Sequence, residues 1–127
     1  MSPRTQQQSP NAGLSLRIDL APMGRLGPGK VLLLEKIDET GSISAAGRSL
    51  KMSYRRAWTL VDDLNRVFGK PLVTTQPGGA NGGGAKLTRL GRDVVAHYRA
   101  IETKALKAAA LHLEALQAAI DPDPRSP

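Results

Sequence analysis

The chain has 127 residues, of which 40% are hydrophobic and 23% charged, with a formal net charge of +7 and a pI near 10.3. This length predicts one domain rather than a sensor joined to an effector, and the charge favours a polyanionic partner such as nucleic acid. The lack of cysteine excludes disulfides and thiolate sites, and no apolar run approaches the ~18 residues of a membrane span. We therefore expect a cytoplasmic protein with no membrane partner.

The N-terminal third predicts a short strand followed by a helix. Residues 1–13 are polar and are expected to be a disordered segment, without signal-peptide features. Residues 14–20 alternate apolar and polar side chains, which is the period of a half-buried strand. Residues 21–27 are predicted to be a loop. Pro28 suits the first position of a helix that ends near Gly41.

A helix, a tight turn and a second helix follow within about 27 residues. Ser42 or Ser44 is a candidate N-cap for the short helix, and Ser53 is a candidate N-cap for the next. The later helix has an apolar stripe, and its basic outward residues lie in the first turn. The stripe consists of Ala57, Val61, Leu64 and Phe68, with Trp58 and Leu60 beside it.

Two short runs, residues 72–75 and 85–88, predict a hairpin. The loop between them, Gln76 to Gly84, contains five glycines. It lacks both Gly-Lys-Ser/Thr and G-x-G-x-x-G, so a mononucleotide cradle is disfavoured. We expect a wing that approaches DNA, and the alternative is a flexible hairpin tip with no function.

The last predicted element is a helix over residues 89–120, in which Gly91 is expected only to weaken the start. About 30 residues span ~45 Å, which is longer than the core of a hundred-residue domain needs. Its apolar stripe predicts a two-fold homodimer, with recognition helices about one DNA turn (~34 Å) apart or a multiple of it. The alternative is a distal half that frays. Residues 121–127 are expected to be a disordered tail.

Basic residues concentrate in the third helix and the hairpin. Residues 51–92 contain eight Lys and Arg against two Asp, a net charge of +6. The alternative explanation is a solvated basic face that keeps the protein soluble. The arrangement of the elements favours binding of double-stranded DNA.

The helix–turn–helix motif places the start of its second helix in the major groove, where base edges are distinguishable. This gives a set of candidate base-reading residues and a set of candidate phosphate-positioning residues. The base readers are Tyr54, Arg55, Arg56 and Thr59, and the phosphate contacts are Ser53, Lys51, Lys86 and Arg89, with Asn81 in the wing loop. The competing interpretation is that paired arginines are common on exposed helices and that Tyr54 belongs to the core.

Enzymatic patterns are absent from the sequence. His97 and His112 are the two histidines, fifteen residues apart and without a metal-binding spacing. Asp62 and Asp63 are adjacent, so they point to different sides of their helix and do not form a paired-carboxylate site. We expect no catalytic residue, no metal and no cofactor.

The run GSISAAGRSLKMSYRRAWTLVDDLN, Gly41 to Asn65, followed by PGGANGGGAKLTRLG, Pro77 to Gly91, resembles the DNA-binding domain of ModE-type molybdate-responsive regulators. Those domains are similar to the winged helices of the LysR family. The resemblance covers about residues 14–115. It implies a mainly α fold with a small β-sheet: a dimeric winged helix–turn–helix, with the third helix in the major groove and the long helix in the dimer interface.

Three departures from the family pattern modify this expectation. Molybdate-sensing members carry C-terminal oxyanion-binding domains, and this sequence ends at Pro127 without one, so we expect no molybdate sensing by the chain itself. Asn81 stands where the family wing often has lysine. Arg56 stands where a small or polar residue is common, which implies a different operator preference.

The sequence therefore predicts a homodimeric transcriptional regulator over residues 14–120 that binds a pseudo-palindromic operator. The rival hypothesis is an interaction module whose long helix docks a separate effector-sensing protein, with DNA binding secondary. A third possibility is a DNA-coating protein without sequence preference.

Overall fold

The computed structural model describes residues 13–20, 22, 24–77 and 84–120. The remaining predictions, a disordered N-terminal segment and tail and the wing tip with Asn81, lie outside the described residues. The elements are β1 (Ile18–Asp19), β2 (Arg25–Leu26), α1 (Pro28–Thr40), α2 (Ile43–Ser49), α3 (Tyr54–Phe68), β3 (Val73–Gln76), β4 (Gly84–Leu87) and α4 (Arg89–Ala118). This order confirms the predicted fold class: mainly α, with small antiparallel sheets.

The predicted strand over residues 14–20 is wrong in extent, and part of the predicted loop 21–27 is a strand. The alternation itself holds, because even-numbered side chains are half-buried and odd-numbered ones are exposed. Pairing is limited to Ile18 with Leu26 and Asp19 with Arg25. A ladder extends only where a partner strand lies opposite, and β2 supplies two residues.

Helix α1 begins and ends where the sequence predicts. Pro28 occupies the first turn, where its missing N–H costs no helical hydrogen bond. Gly41 ends the helix in the left-handed conformation, at φ 74°, and donates its N–H to the carbonyl of Ile37. The helix buries one face in the core through Val31, Leu33, Leu34 and Ile37.

The two N-caps of the helix–turn–helix are serines. Ser42, not Ser44, caps α2 by accepting the N–H of Ala45 at 3.0 Å. Ser53 caps α3 by accepting the N–H of Arg56 at 3.0 Å. Each cap satisfies a backbone donor that the helix itself leaves free, and together they define where both helices begin.

Helices α2 and α3 pack closely through small residues. A Cβ at Gly47 would lie 3.1 Å from the Cβ of Ala57, and both positions are buried. Next to this contact, α3 buries Leu60, Val61 and Leu64, while Trp58 and Phe68 are half-buried against the core. The predicted stripe therefore holds α3 in place and leaves the opposite side exposed.

Residues 16–98 form one compact unit, and residues 13–15 and 99–120 of the described chain belong to a second. In the second unit, Glu102 is buried and pairs with Arg99 at 2.7 Å. Further along the same helix are exposed large apolar side chains: Leu111, Leu116 and, after the helix end, Ile120. In the part of the chain that the structure describes, no helix is long and apolar enough to cross a membrane.

Candidate nucleic-acid interface

The first two turns of α3 present the predicted base-reading residues to solvent. Ser53, Arg55, Arg56 and Thr59 are exposed, and Tyr54 is 60% exposed rather than a core residue. Ala57, directly after the two arginines, is completely buried. The helical repeat therefore separates an outward basic turn from an inward apolar stripe.

The aromatic ring of Tyr54 is supported by Trp58. Their ring centroids are 6.1 Å apart, and the rings meet edge to face at 74°. Such a contact is favourable because it places the positive edge of one ring on the negative face of the other. Trp58 is itself half-buried, so it gives the exposed tyrosine a fixed support.

Thr59, one of the predicted base-contacting residues, makes a hydrogen bond within α3. Its hydroxyl donates to the carbonyl of Arg55 at 2.9 Å, which is a backbone bond within the helix. The hydroxyl hydrogen is thus occupied, while the methyl group and the oxygen lone pairs stay available. A methyl group suits contact with a thymine methyl, and the oxygen suits acceptance from a base donor.

Lys51 lies in the turn between α2 and α3 with an unfavourable backbone conformation. Its φ is 60°, the left-handed region that normally favours glycine. The side chain is exposed, and the backbone N–H donates to the carbonyl of Arg48. A non-glycine residue at such a position costs on the order of 1 kcal/mol of stability. Because strained residues of this kind are concentrated at functional sites, the Lys51 side chain is a candidate for a role in binding.

The base of the wing is attached to the helix–turn–helix. In the pairing of β3 with β4, Thr74 lies opposite Lys86, whose side chain is exposed. The N–H of Ala85 donates to the carbonyl of Gly41 at 2.8 Å, at the turn before α2. Arg89, at the start of α4, is also exposed.

The predicted cationic residues are free of ion pairs. Among the described residues, none of Lys51, Arg55, Arg56, Lys86 and Arg89 forms a salt bridge. Arg66, on the same helix as the two arginines, instead pairs with Asp63. The charge available to a polyanion therefore lies in the first turn of α3, the preceding turn, the wing strand and the start of α4.

The structure adds a groove that sequence reasoning missed. About 360 Å³ lies between the starts of α2 and α3 and the wing strands, with Tyr54 and Trp58 on one side. Its lining carries no charged side chain, and its polar residues include Ser42, Ser44, Thr75 and Gln76. In the sequence, the groove could have been predicted from the serine N-cap of α2 together with the hydroxyl and amide side chains on a wing strand. These groups suit hydrogen bonds to phosphate and sugar oxygens.

In the described ranges, no cluster of three or more His, Asp or Glu side chains is placed to hold a metal ion. The expectation that the chain has no cofactor stays a prediction.

The fold and this surface together define a winged helix–turn–helix domain. Residues 30–92 match the family of bacterial regulatory helix-turn-helix proteins of the lysR type. The fold is also that of the crystal structure of the CbnR_DBD–DNA complex, with a TM-score of 0.54 and 19% identity over 69% of this chain and 95% of that one.

Within this class, the chain is similar to ModE-type regulators. It is 47% identical over 83 residues to the molybdenum-pterin-binding protein MopB of Rhodobacter capsulatus, covering 65% of this chain and 31% of MopB. It is 41% identical over 91 residues to the molybdenum transport protein ModE of Azotobacter vinelandii, covering 72% and 33%. With the dual regulator ModE of Escherichia coli K12, a DNA-binding transcriptional regulator, identity is 37% over 71 residues, covering 56% and 27%. The chain thus spans about a third of the length of these relatives.

Proposed function

We propose that this chain is a sequence-specific, DNA-binding transcriptional regulator that acts as a homodimer on a pseudo-palindromic operator. The observation that carries the proposal is the exposed basic first turn of α3 beside an attached wing. A helix presented in this way fits the ~12 Å width of the major groove. The relatives named as regulators support the same assignment.

The proposal gives each exposed residue a task according to its chemistry. Arg55 and Arg56 read guanine, because a guanidinium pairs bidentately with guanine O6 and N7. Tyr54 and Thr59 contact bases through apolar and oxygen atoms. The remaining predicted residues contact phosphates: Ser53 at the N-terminus of α3, Lys51 in the turn, Lys86 and Arg89 near the wing, and Asn81 at its tip.

The groove between α3 and the wing provides a path for one strand of the duplex. Ser42, Ser44, Thr75 and Gln76 offer hydrogen bonds there without charge. Phosphate contacts of this kind fix the register of a protein on the duplex but carry no sequence information. Specificity is then left to the side chains on the first turn of α3.

The homodimer rests on the exposed apolar side chains of α4 and the segment after it. Leu111 is 78% exposed and Leu116 is 68% exposed. Large apolar residues exposed in series on one helix are typical of a surface that pairs with another. Pairing two copies gives the two recognition helices that a pseudo-palindrome requires.

The first test is selection of bound duplexes from a random pool at about 150 mM salt, where phosphate attraction weakens and base readout persists. We expect enrichment of an inverted repeat by the unmodified protein. Arg55→Ala should then lose base preference at one position of each half-site. Lys70→Ala is the matched control, since this exposed lysine follows the opposite end of α3. Recovery of unenriched sequences by the unmodified protein would overturn the proposal.

The same exposed residues of α4 also favour a second candidate function. A separate effector-binding protein would cover Leu111 and Leu116 in place of a second copy. This alternative predicts a monomer in solution at concentrations where a regulator dimerises, and DNA binding that is weak without the partner. Sedimentation equilibrium of the isolated chain distinguishes the homodimeric regulator from the module that docks a separate protein.

A further inference from the structure

The start of α4 is anchored to the loop before β3 through one side chain. The hydroxyl of Thr88 donates to the carbonyl of Pro71 at 2.8 Å and accepts the N–H of Gly91 at 3.0 Å. The N–H of Thr88 donates to the carbonyl of Leu72 at 2.9 Å. Thr88 therefore caps the helix and holds it to the wing base at the same time.

Gly91 brings the helix backbone against this anchor. A Cβ at position 91 would lie 2.2 Å from the carbonyl oxygen of Leu72. The neighbouring atom belongs to the backbone rather than to a flexible side chain, so the approach leaves little room for the helix to shift. The first turn of α4 is thus in direct contact with the chain that leads into β3.

A second anchor lies further along the same helix. Tyr98 is completely buried, and its hydroxyl donates to the carbonyl of Leu16, next to β1. Ten residues separate Thr88 from Tyr98, which is ~15 Å at 1.5 Å per residue. Two attachment points at this separation define the direction of residues 89–98 within the compact unit of residues 16–98.

We infer that Thr88 and Tyr98 are positioning residues that set the spacing between the two DNA half-sites a dimer accepts. This rests on the homodimer of the proposed function. Thr88 is half-buried and Tyr98 is fully buried, so both act through the helix rather than by reading bases. A rigid connection between two binding modules favours the one separation that it fits, whereas a loose connection tolerates several.

The test compares spacing preference with half-site affinity. Duplexes carry the selected half-site as an inverted repeat, with the separation stepped by one base pair over one helical turn, and a further duplex carries a single half-site. Kd is measured by fluorescence anisotropy at about 150 mM salt. The variant is Thr88→Val with Tyr98→Phe, which removes the side-chain hydrogen bonds and keeps the shapes. Thr88→Ser, which retains the hydroxyl, is the matched control.

We expect the unmodified protein to bind its best spacing about ten-fold tighter than one shifted by roughly five base pairs. In the double variant, the ratio of the Kd at the shifted spacing to the Kd at the best spacing should fall about three-fold or more. The Kd for the single half-site should stay within about two-fold of the original. Thr88→Ser should keep the original ratio. If the double variant does not fold, Tyr98→Phe alone should narrow the ratio in the same direction.

The two failures are distinguishable. A sharp spacing preference that persists in the folded variants overturns the inference and leaves the proposed function standing. An unmodified protein that binds DNA as a monomer overturns the homodimer, and the inference with it. An equal loss of affinity for every duplex, including the single half-site, would show that the two residues have a purely structural role, and it would also overturn the inference.

Discussion

At the scale of single residues, the helical repeat decides which side chains are available to a partner. Arg55 and Arg56 are exposed while Ala57 is completely buried. The exposed positions can therefore be changed with little effect on packing, since surface substitutions usually alter the free energy of unfolding by less than about 0.5 kcal/mol. This makes the first turn of α3 a place where binding and stability are measured separately.

Replacement of Arg55 by alanine should cost about 1–3 kcal/mol in operator binding and relax the preference for one base pair. The melting temperature should stay close to that of the unmodified protein, because the side chain is exposed. Both quantities are measured on one preparation, by anisotropy and by circular dichroism. Unchanged operator affinity would remove Arg55 from the interface.

Replacement of Lys51 by glycine should separate backbone strain from charge. Glycine adopts φ 60° freely, so the free energy of unfolding should stay equal or rise by up to about 1 kcal/mol. Loss of a phosphate contact should weaken DNA binding across sequences and reduce the salt slope by about one. Lys51→Arg is the control that keeps the charge. A salt slope equal to that of the unmodified protein would show that Lys51 does not touch phosphate.

At the scale of elements, the wing is joined to the helix–turn–helix through its backbone. The bond from Ala85 N–H to the Gly41 carbonyl connects β4 to the turn before α2. A further bond from Leu72 N–H to Asn65 Oδ1, at 2.8 Å, connects α3 to the chain entering β3. The base of the wing is thus fixed on two sides, and its strands keep Lys86 exposed.

Deletion of residues 81–83 tests the contribution of the wing tip. We expect weaker binding to many sequences and a flatter dependence of affinity on salt, because backbone contacts are not base-specific. Salt titrations of the selected operator and of an unrelated duplex provide the measurement. Equal affinity and an equal slope on both duplexes would exclude the tip from the interface.

Gly91 shows how the packing of elements changes the meaning of a residue. The sequence predicts that it only weakens the start of α4, whereas the structure places the carbonyl of Leu72 where a side chain would go. Gly91→Ala should therefore lower the free energy of unfolding by about 1–3 kcal/mol. Gly29→Ala, in α1 with open space around it, is the control and should be neutral or slightly stabilising. The free energy of unfolding of both variants is measured by urea denaturation. Equal urea midpoints for the two variants would contradict the close approach of Gly91 to the Leu72 carbonyl.

At the scale of the whole molecule, the exposed apolar residues on α4 determine the oligomer that we expect. Substitution of Leu111 and Leu116 by glutamate should convert a dimer into a monomer, because burying a charge in the interface is unfavourable. Operator affinity should fall while binding to one half-site persists. Thr103→Glu adds a carboxylate to the same helix at an exposed polar position and should leave the dimer intact. Sedimentation equilibrium provides the measurement, and a dimer that survives the double substitution would place the interface elsewhere.

Much of the fold was predictable because it rests on local signals. Pro28 and Gly41 mark the ends of α1, Ser53 marks the start of α3, and the wing strands were correct to within one residue. What the sequence did not predict depends on which elements meet in the fold. The partner of β1 and the groove lined by Ser44 and Gln76 are of this kind.

The sequence by itself determined the helix–turn–helix, the location of the basic residues and the family resemblance, because periodicity, caps and charge are properties of neighbouring residues. Only the tertiary structure decided that Tyr54 is exposed, that Gly91 must be glycine and that Thr88 and Tyr98 hold the start of α4. The last two depend on backbone carbonyls brought from elsewhere in the chain, at Leu72, Pro71 and Leu16. Close packing, rather than local preference, is the physical reason for the difference.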